Sequence, residues 1–256
     1  MDYKNIIVEK ENGVLIITLN RPPVNSLNGD IIVEFGQVLD EYEKDEELRA
    51  IIFTGAGEKA FCAGADLSAG FGGDPAAFIK RGQDTFTRIE QFHLPVIAAI
   101  NGHALGGGCE LALACHFRIM KEGGTIGLTE SNLGIIPGYG GTQRLPRIIG
   151  RAKALDLMVF GKRIGADEAL QCSLIHKISK SGETLNDAKE FAAALTKRAP
   201  VATKLIIDAV NRGLELPITD ALTVERENFL KVMATADATE GITAFFEKRE
   251  AKFKGK

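Results

Sequence analysis

Glu110 is the residue most at odds with its neighbours. It is a lone carboxylate in the apolar run CELALAC (109–115), two positions beyond the glycines that end NGHALGGG (101–108). A charge in such a run must cap a helix, pair with another charge or face a cleft. Glu130 follows in GLTESNLGIIPGYGGTQRL, after a short apolar run and before another glycine-rich turn. Two carboxyl groups converging on one cleft could serve as general base and general acid, moving water across a double bond. Spacing alone does not establish convergence, and two surface glutamates are the commoner case.

The glycines beside Glu110 carry a second chemical possibility. Gly106, Gly107 and Gly108 at a helix start leave backbone N–H groups free at the positive end of the helix dipole. That suits a phosphate, or an oxyanion that appears only during reaction. The segment fits neither the G-x-G-x-x-G dinucleotide fingerprint nor the P-loop, whose Lys-Ser/Thr pair is absent. Tight helix–strand packing is the alternative use of the same glycines. A second glycine-bearing loop, FCAGADL (61–67), also follows an apolar run. Its Asp66 reads as a loop-ordering hydrogen-bond acceptor rather than an acid catalyst. His93, His103, His116 and His176 form no metal motif and are expected in packing or surface roles. Cys109 adjoins Glu110, but no base stands beside it to make it a nucleophile.

The elements that must position these residues alternate strand and helix. IIVEK and VLIITL flank Asn12-Gly13, the signal of a two-residue type I′ hairpin. Residues 29–44 place Ile32, Phe35, Val38, Leu39 and Tyr42 on one helical face. RAIIFTG (49–55) and PVIAAI (95–100) read as buried strands, with a helical period over 76–92 between them. NGHALGGG reads as a turn and CELALAC as a helix; FRIM and TIGLT read as short strands, and SLIHKIS (173–179) as the last strand. LPRIIGRAKALDLMVF is expected to begin a helix near Pro146, in the favoured first turn. From Leu185 onward the pattern is helical, over 185–198, 200–212, 219–234 and a final segment from Thr239. The division predicted is an α/β core over 1–195 and a C-terminal helical region over 196–256, with Leu222, Phe229, Leu230, Val232 and Met233 in core or subunit interface.

Composition narrows the class. A chain of 256 residues with 45% hydrophobic and 25% charged residues is ordinary globular material and needs no disulfide or metal staples. Its 31 basic and 34 acidic residues give net −3, so bulk charge offers nothing to nucleic acid. MDYKNIIVEKENG carries charges within its first apolar run, unlike a signal peptide, and no apolar stretch approaches a membrane span. Cys62, Cys109, Cys115 and Cys172 are scattered and expected to be reduced thiols, which points to the cytoplasm. The excess is glycine, 28 residues, well above the usual ~7%.

NRP (20–22), FCAGADL, PVIAAINGHALGGGCELALAC, GLTESNLGIIPGYGGTQRLPR and AFFEKR (244–249), in that order, closely resemble the crotonase, or enoyl-CoA hydratase, family. The resemblance runs from the first hairpin to the tail. It implies an α/β crotonase spiral of repeated ββα units with a C-terminal helical trimerisation region, assembling as a homotrimer or dimer of trimers. It further implies hydration of a trans-2-enoyl-CoA to a 3-hydroxyacyl-CoA in fatty-acid or related acyl-CoA degradation, without metal or redox cofactor. The backbone N–H groups of Ala65 and Gly107 would form an oxyanion hole for the thioester carbonyl. Glu130 would donate a proton to the α-carbon and Glu110 would help activate the water. Ala63, Asp66 and Leu67, with Lys248 and Lys252 from the tail, would contact the substrate or its CoA moiety, and no nucleic acid or membrane partner is implied.

The chain departs from the family pattern in places. It reads NRPPVNSL where many relatives carry N-R-P-K-x-x-N-A-L, and Ser68 follows GADL where a lysine is common two places after Asp, so two basic groups that often meet CoA phosphates are missing. Lys248, Arg249 and Lys252 could compensate, from a neighbouring subunit. His116 stands where aspartate commonly follows LALAC. The rival readings are a sister activity on the same scaffold (isomerase, hydrolase or decarboxylase), which generally lacks one of the two glutamates, and an RNA-binding relative, which net −3 disfavours.

Overall fold

A computed structural model describes residues 3–66, 68 and 73–256. The hairpin forms as its turn signal requires. β1 (Ile6–Glu11) and β2 (Val14–Leu19) pair antiparallel with Glu11 opposite Val14. Asn12 and Gly13 take φ of 49° and 76°, the two positive values of a type I′ turn. α1 (Gly29–Tyr42) follows, capped by the Asn28 side chain, which accepts from the Ile31 N–H at 3.0 Å.

That strand–strand–helix unit recurs. β3 (Ala50–Gly55), β4 (Ala60–Ala63) and α2 (Pro75–Glu90) make the second; β5 (Val96–Ile100), β6 (His103–Leu105) and α3 (Gly107–Ala114) the third. β7 (Phe117–Lys121), β8 (Thr125–Gly127), a single 3₁₀ turn (Glu130–Leu133) and α4 (Gly141–Ile149) make the fourth. α5 (Arg151–Val159), β9 (Ile164–Gly165), α6 (Ala166–Gln171), β10 (Lys177–Ser179) and α7 (Thr184–Thr196) complete the part built around the sheets. From the second unit onward, the first strand joins one sheet, β1-β2-β3-β5-β7-β10, and the second joins another, β4-β6-β8-β9. Each unit thus advances both sheets by one strand, which winds the chain into a spiral.

Both faces of the larger sheet are covered, so its strands read as continuous apolar runs. Leu15, Ile17, Ile51, Phe53, Val96 and Ala98 face the main core, while Val14, Ile16, Ala50, Ile52, Ile97 and Ala99 face Ala188 and Ala192 of α7. Beyond α7 lie α8 (Pro200–Gly213), α9 (Ile218–Met233) and α10 (Ala236–Glu247), with the tail turned back along α10. There Arg249 pairs with Glu240, and the Lys254 and Gly255 N–H groups each donate to Asp237 at 2.7 Å.

Five expectations are corrected. His103–Leu105, read as part of a turn, forms β6, because its backbone is needed between β4 and β8. Phe61–Ala63, read as the start of a loop, belongs to β4 (Ala60–Ala63). The helix placed near Pro146 starts at Gly141, with Pro146 inside it, and ends at Gly150 (φ 80°), after which α5 begins. The strand placed over 173–179 is only Lys177–Ser179. On α9, Leu222, Phe229, Leu230 and Met233 are exposed in the single chain, which removes the core reading for them.

Glycine decides how closely the two sheets and α3 approach. A methyl group on Gly108 would stand 2.0 Å from the Cys62 carbonyl oxygen, backbone against backbone. Gly165 has nothing within 4 Å of that position. Gly108→Ala is therefore expected to lower stability by about 3 kcal/mol or more, by overpacking a rigid contact. Gly165→Ala should leave the thermal midpoint close to wild type. Equal melting curves for the two variants would contradict this contact.

Candidate active site

Two backbone donors meet where β4 and β6 end. The strands run parallel, with Ala63 opposite Leu105. After β4 the chain turns at Gly64 (φ 94°), and Leu27 bridges Ala65: Leu27 N–H donates to Gly64 O at 2.9 Å, and Asp66 N–H to Leu27 O at 2.7 Å. After β6, Gly106 takes φ 52° and ψ −125°, a conformation suited to glycine, and α3 starts at Gly107. A Cβ on Gly107 would lie 3.5 Å from Ala65 N, so these two residues, from different elements, pack against each other. Among the described residues, none of the turn and loop hydrogen bonds is donated by Ala65 or Gly107.

Glu110 lies in the first turn of α3 and is 2% exposed. Its Oε1 accepts from the Tyr139 N–H at 2.7 Å and the Gly141 N–H at 2.8 Å. Burial pushes its pKa up to about 7; the nearby Glu130 charge adds to the rise, while the two N–H donors and Arg144 oppose it. Glu130, on the 3₁₀ turn, is half-buried, and burial raises its carboxyl above the usual range too. Its Oε2 is buried without a hydrogen-bond partner. Such an atom is an acceptor waiting for a donor.

The two carboxyls and the two N–H donors line one cavity of about 760 Å³. Phe78, Ile79, Leu133 and Ile136 supply its apolar wall. A second hollow of about 730 Å³, beside His93, Lys204 and Asp208, contains no such set. Glu110, Glu130, Ala63, Ala65 and Gly107 are thus brought together. Asp66 is not on the cavity wall: it pairs with Arg21 and accepts from the Ser68 hydroxyl and N–H, and these contacts hold its carboxyl below the usual range. Leu67 lies outside the described residues. Lys248 and Lys252 sit on the tail beyond α10 and do not line the cavity within one chain.

Supporting residues close the site from behind. His116 accepts the Val96 N–H at Nδ1, and its Nε2 meets Glu90 O, both at 2.9 Å, so it ties the end of α2 to the start of β5. Buried Arg118 donates to the carbonyls of Ala112 and Cys115 and so finishes the C-terminus of α3. Sequence reasoning missed the Tyr139 and Gly141 N–H clamp, whose visible trace was the glycine-rich turn GYGG.

The fold is the crotonase architecture: a two-sheet spiral that closes on paired N–H donors and paired carboxyls. Residues 9–256 match the enoyl-CoA hydratase/isomerase family. The chain is 44% identical over 254 residues to the short-chain-enoyl-CoA hydratase of Clostridium acetobutylicum, covering 98% of this chain and 97% of that one. It is 41% identical to the crotonyl-CoA hydratase of Syntrophomonas wolfei over 99% of both. The crystal structure of an enoyl-CoA hydratase from Bacillus anthracis aligns with a TM-score of 0.94 at 41% identity, covering 99% of this chain and 100% of that one. The chain belongs to the enoyl-CoA hydratase/isomerase family.

Burying Glu110 has a thermodynamic consequence. Its folded pKa, about 7, lies above the ordinary 4.5, so ionising it penalises the folded state. The penalty is absent below pH 4.5, grows through the interval to pH 7 and is full above it. At ~1.4 kcal/mol per pH unit it comes to about 3 kcal/mol, from the rise of 4.5 to about 7. Glu110→Gln keeps an acceptor for both N–H groups and removes the charge. It should raise the thermal midpoint at pH 8 and much less at pH 5, read by paired melting curves; an equal effect at both would refute the buried charge.

Proposed function

We propose that the chain is an enoyl-CoA hydratase, adding water syn across the double bond of a short- or medium-chain trans-2-enoyl-CoA. The observation that carries this reading is the pair Glu110 and Glu130 on the wall of the cavity that the Ala65 and Gly107 N–H groups also line. The thioester carbonyl would accept from those two N–H groups, which stabilise the enolate charge as it develops. Glu110, its Oε1 already occupied, would take a hydrogen bond from water through Oε2 and draw off a proton as the water oxygen bonds to the β-carbon. The carbon–carbon π pair moves into the enolate, and Glu130 returns a proton to the α-carbon. The balance is one water consumed and one 3-hydroxyacyl-CoA formed, and the cycle closes when the proton taken by Glu110 is exchanged through solvent water for the one Glu130 gave up. The thioester makes the β-carbon electrophilic, so this scheme draws on no metal or redox cofactor; coenzyme A is part of the substrate.

The names of the two relatives, short-chain-enoyl-CoA hydratase and crotonyl-CoA hydratase, favour the short end of that range. An isomerase, hydrolase or decarboxylase reading would leave one of the two carboxyls without a task. All four cysteines are free thiols, which fits a reducing cytoplasm, and among the described residues no helix is long and apolar enough to cross a membrane.

We take residues 196–256 as the assembly region of a homotrimer or dimer of trimers. Phe229, Leu230, Phe245 and Phe246 are each at least 60% exposed in the single chain, an apolar surface large enough to need covering. Lys248 and Lys252 would then serve the CoA phosphates of a neighbouring copy. Light scattering should give three or six times 27.6 kDa, and reversing both lysine charges should raise KM at unchanged mass. A monomer, or an unmoved KM, would remove this part.

The central test is spectroscopic. Crotonyl-CoA should lose the ultraviolet absorbance of its conjugated thioester when wild-type protein is added. Glu110→Gln and Glu130→Gln should each lower kcat by about 10²–10⁴-fold. Full turnover in either variant would sink the two-carboxyl mechanism, and no turnover by wild type on any chain length would point to a sister activity.

A further inference from the structure

The clamp on Glu110 is made by a loop with little stiffness of its own. Tyr139 and Gly141 lie in Pro137-Gly138-Tyr139-Gly140-Gly141, and Gly140 sits at φ 107°. Among the described residues, Arg144 ties this loop to the rest of the protein at several points. Arg144, in α4 and 8% exposed, donates from Nη1 to the Tyr139 carbonyl at 2.8 Å. Its Nε and Nη2 fork onto Glu90 Oε2 at the end of α2, at 3.0 and 2.9 Å, and Nη2 reaches Thr87 Oγ1 at 3.2 Å. Two further contacts join the loop to α2: Gln83 Nε2 donates to Gly138 O at 2.9 Å, and the Tyr139 ring lies over Gly82, where a Cβ would stand 2.3 Å from ring carbons. The Glu90 carbonyl is itself held, by Asn211 of α8 at 2.7 Å and by His116. Arg144 lines a separate cavity of about 310 Å³ with Gln143 and Arg147, and is not on the wall that holds Glu110 and Glu130.

We propose that Arg144 is a positioning residue for Glu110: it fixes the two N–H donors on Oε1, and through them the pH range in which Glu110 is ionised. Arg144 lies off the wall of the cavity proposed to hold substrate. Its fork onto Glu90 orients the guanidinium so that a third N–H is left for the Tyr139 carbonyl, a geometry that lysine's ammonium does not reproduce. The charged and titratable groups facing Glu110 are Glu130 from the 3₁₀ turn, Arg144 from α4, the Tyr139 hydroxyl and the Cys109 thiol. Burial pushes the last two up, so they stay neutral and contribute no opposing charge. Glu130 favours the protonated form of Glu110, whereas Arg144 favours the ionised one, both by its charge and by the N–H groups it holds in place. Glu90 faces Arg144 and keeps it at its post rather than acting on Glu110 directly.

The catalytic part of this role rests on the hydratase reading, so the test has one arm that needs no substrate. In that arm, the stability gained by Glu110→Gln is followed against pH in wild-type and Arg144→Met backgrounds. The gain should set in at the same pH in both backgrounds, because the unfolded-state pKa fixes its onset, but the pH at which it levels off should move upward by about one unit when Arg144 is lost. In the other arm, Arg144→Met should lower kcat for crotonyl-CoA by about 10–100-fold with KM within about twofold, and shift the acid limb of kcat upward. Arg144→Lys should recover part of the pH shift, through its charge, but little of kcat. If Arg144→Met does not fold, Glu90→Gln, which loosens the fork and leaves the arginine charge, should show the kcat loss with the smaller pH shift. A levelling-off pH and an acid limb that stay in place in folded variants would overturn the proposal. A wild type that hydrates nothing would end the hydratase reading, while the stability arm would still judge Arg144.

Discussion

Backbone lies directly against backbone around β4, and the site depends on that closeness. Gly55 faces the carbonyls of Ala60 and Phe61, where a Cβ would stand 2.5 Å away; Gly102 faces Lys59 at 2.6 Å; Gly108 faces Cys62 at 2.0 Å. No side chain separates the end of the larger sheet, the strand of the smaller sheet and the head of α3. Their spacing is therefore set by peptide groups, which are stiff, rather than by rotamers, which are not. Ala65 and Gly107 inherit that precision, and under the proposed mechanism it would let two N–H groups from different elements meet one oxygen. Twelve glycines among the described residues take positive φ at turns and caps, while Gly55, Gly102 and Gly108 serve this seam.

A buried carboxylate is the second constraint, and it works against stability. Glu110 occupies the first turn of an otherwise apolar helix, where the helix dipole and two N–H donors favour its charge and the surrounding core disfavours it. Burial prevails, which leaves the group poised near neutral pH instead of near 4.5. Glu130 adds an acceptor oxygen with no donor. A protein selected for stability alone would fill both positions with apolar residues. Keeping them is a cost that only chemistry in the cavity offsets.

The sequence made the strongly periodic parts legible: the hairpin, α1, α2 and the buried strands β3 and β5 fall where hydrophobic pattern and turn residues put them. It did not reveal β4 and β6, because strands of four and three residues with glycine at their ends carry no measurable period. Pro146 was a misleading start signal, since its missing N–H is tolerated within α4, and the real stop is Gly150. At the site, residue types identified Glu110 and Glu130, but convergence is a property of the spiral, which brings the third and fourth units together. The Tyr139 and Gly141 donors are backbone atoms and leave no side-chain signature. Arg144 stood in the motif GGTQRLPR, yet nothing in one sequence could tell a loop-tying arginine from a solvated one.

The two carboxyls differ in a way that bears on their division of labour. Near neutral pH neighbouring like charges resist full ionisation, so the pair is best treated as holding protons jointly. Burial taken alone would make Glu110 the proton donor, because it is the more deeply enclosed. Its hydrogen bonds argue the other way. Both donors sit on Oε1 and favour the anion, and they leave Oε2 as the one lone-pair site facing the cavity. A proton taken from water would go there, onto a carboxyl whose pKa near the working pH suits a general base. Glu130 is held differently: backbone hydrogen bonds from Thr129 and from its own residue favour its anion, while its Oε2 has no donor to lose when it is protonated. A proton on that oxygen therefore sacrifices no hydrogen bond and gains one wherever a developing enolate carbon or a water can accept it. The asymmetry lies in which carboxyl keeps a buried oxygen free of donors, and it supports the proposed division with Glu110 as base and Glu130 as acid.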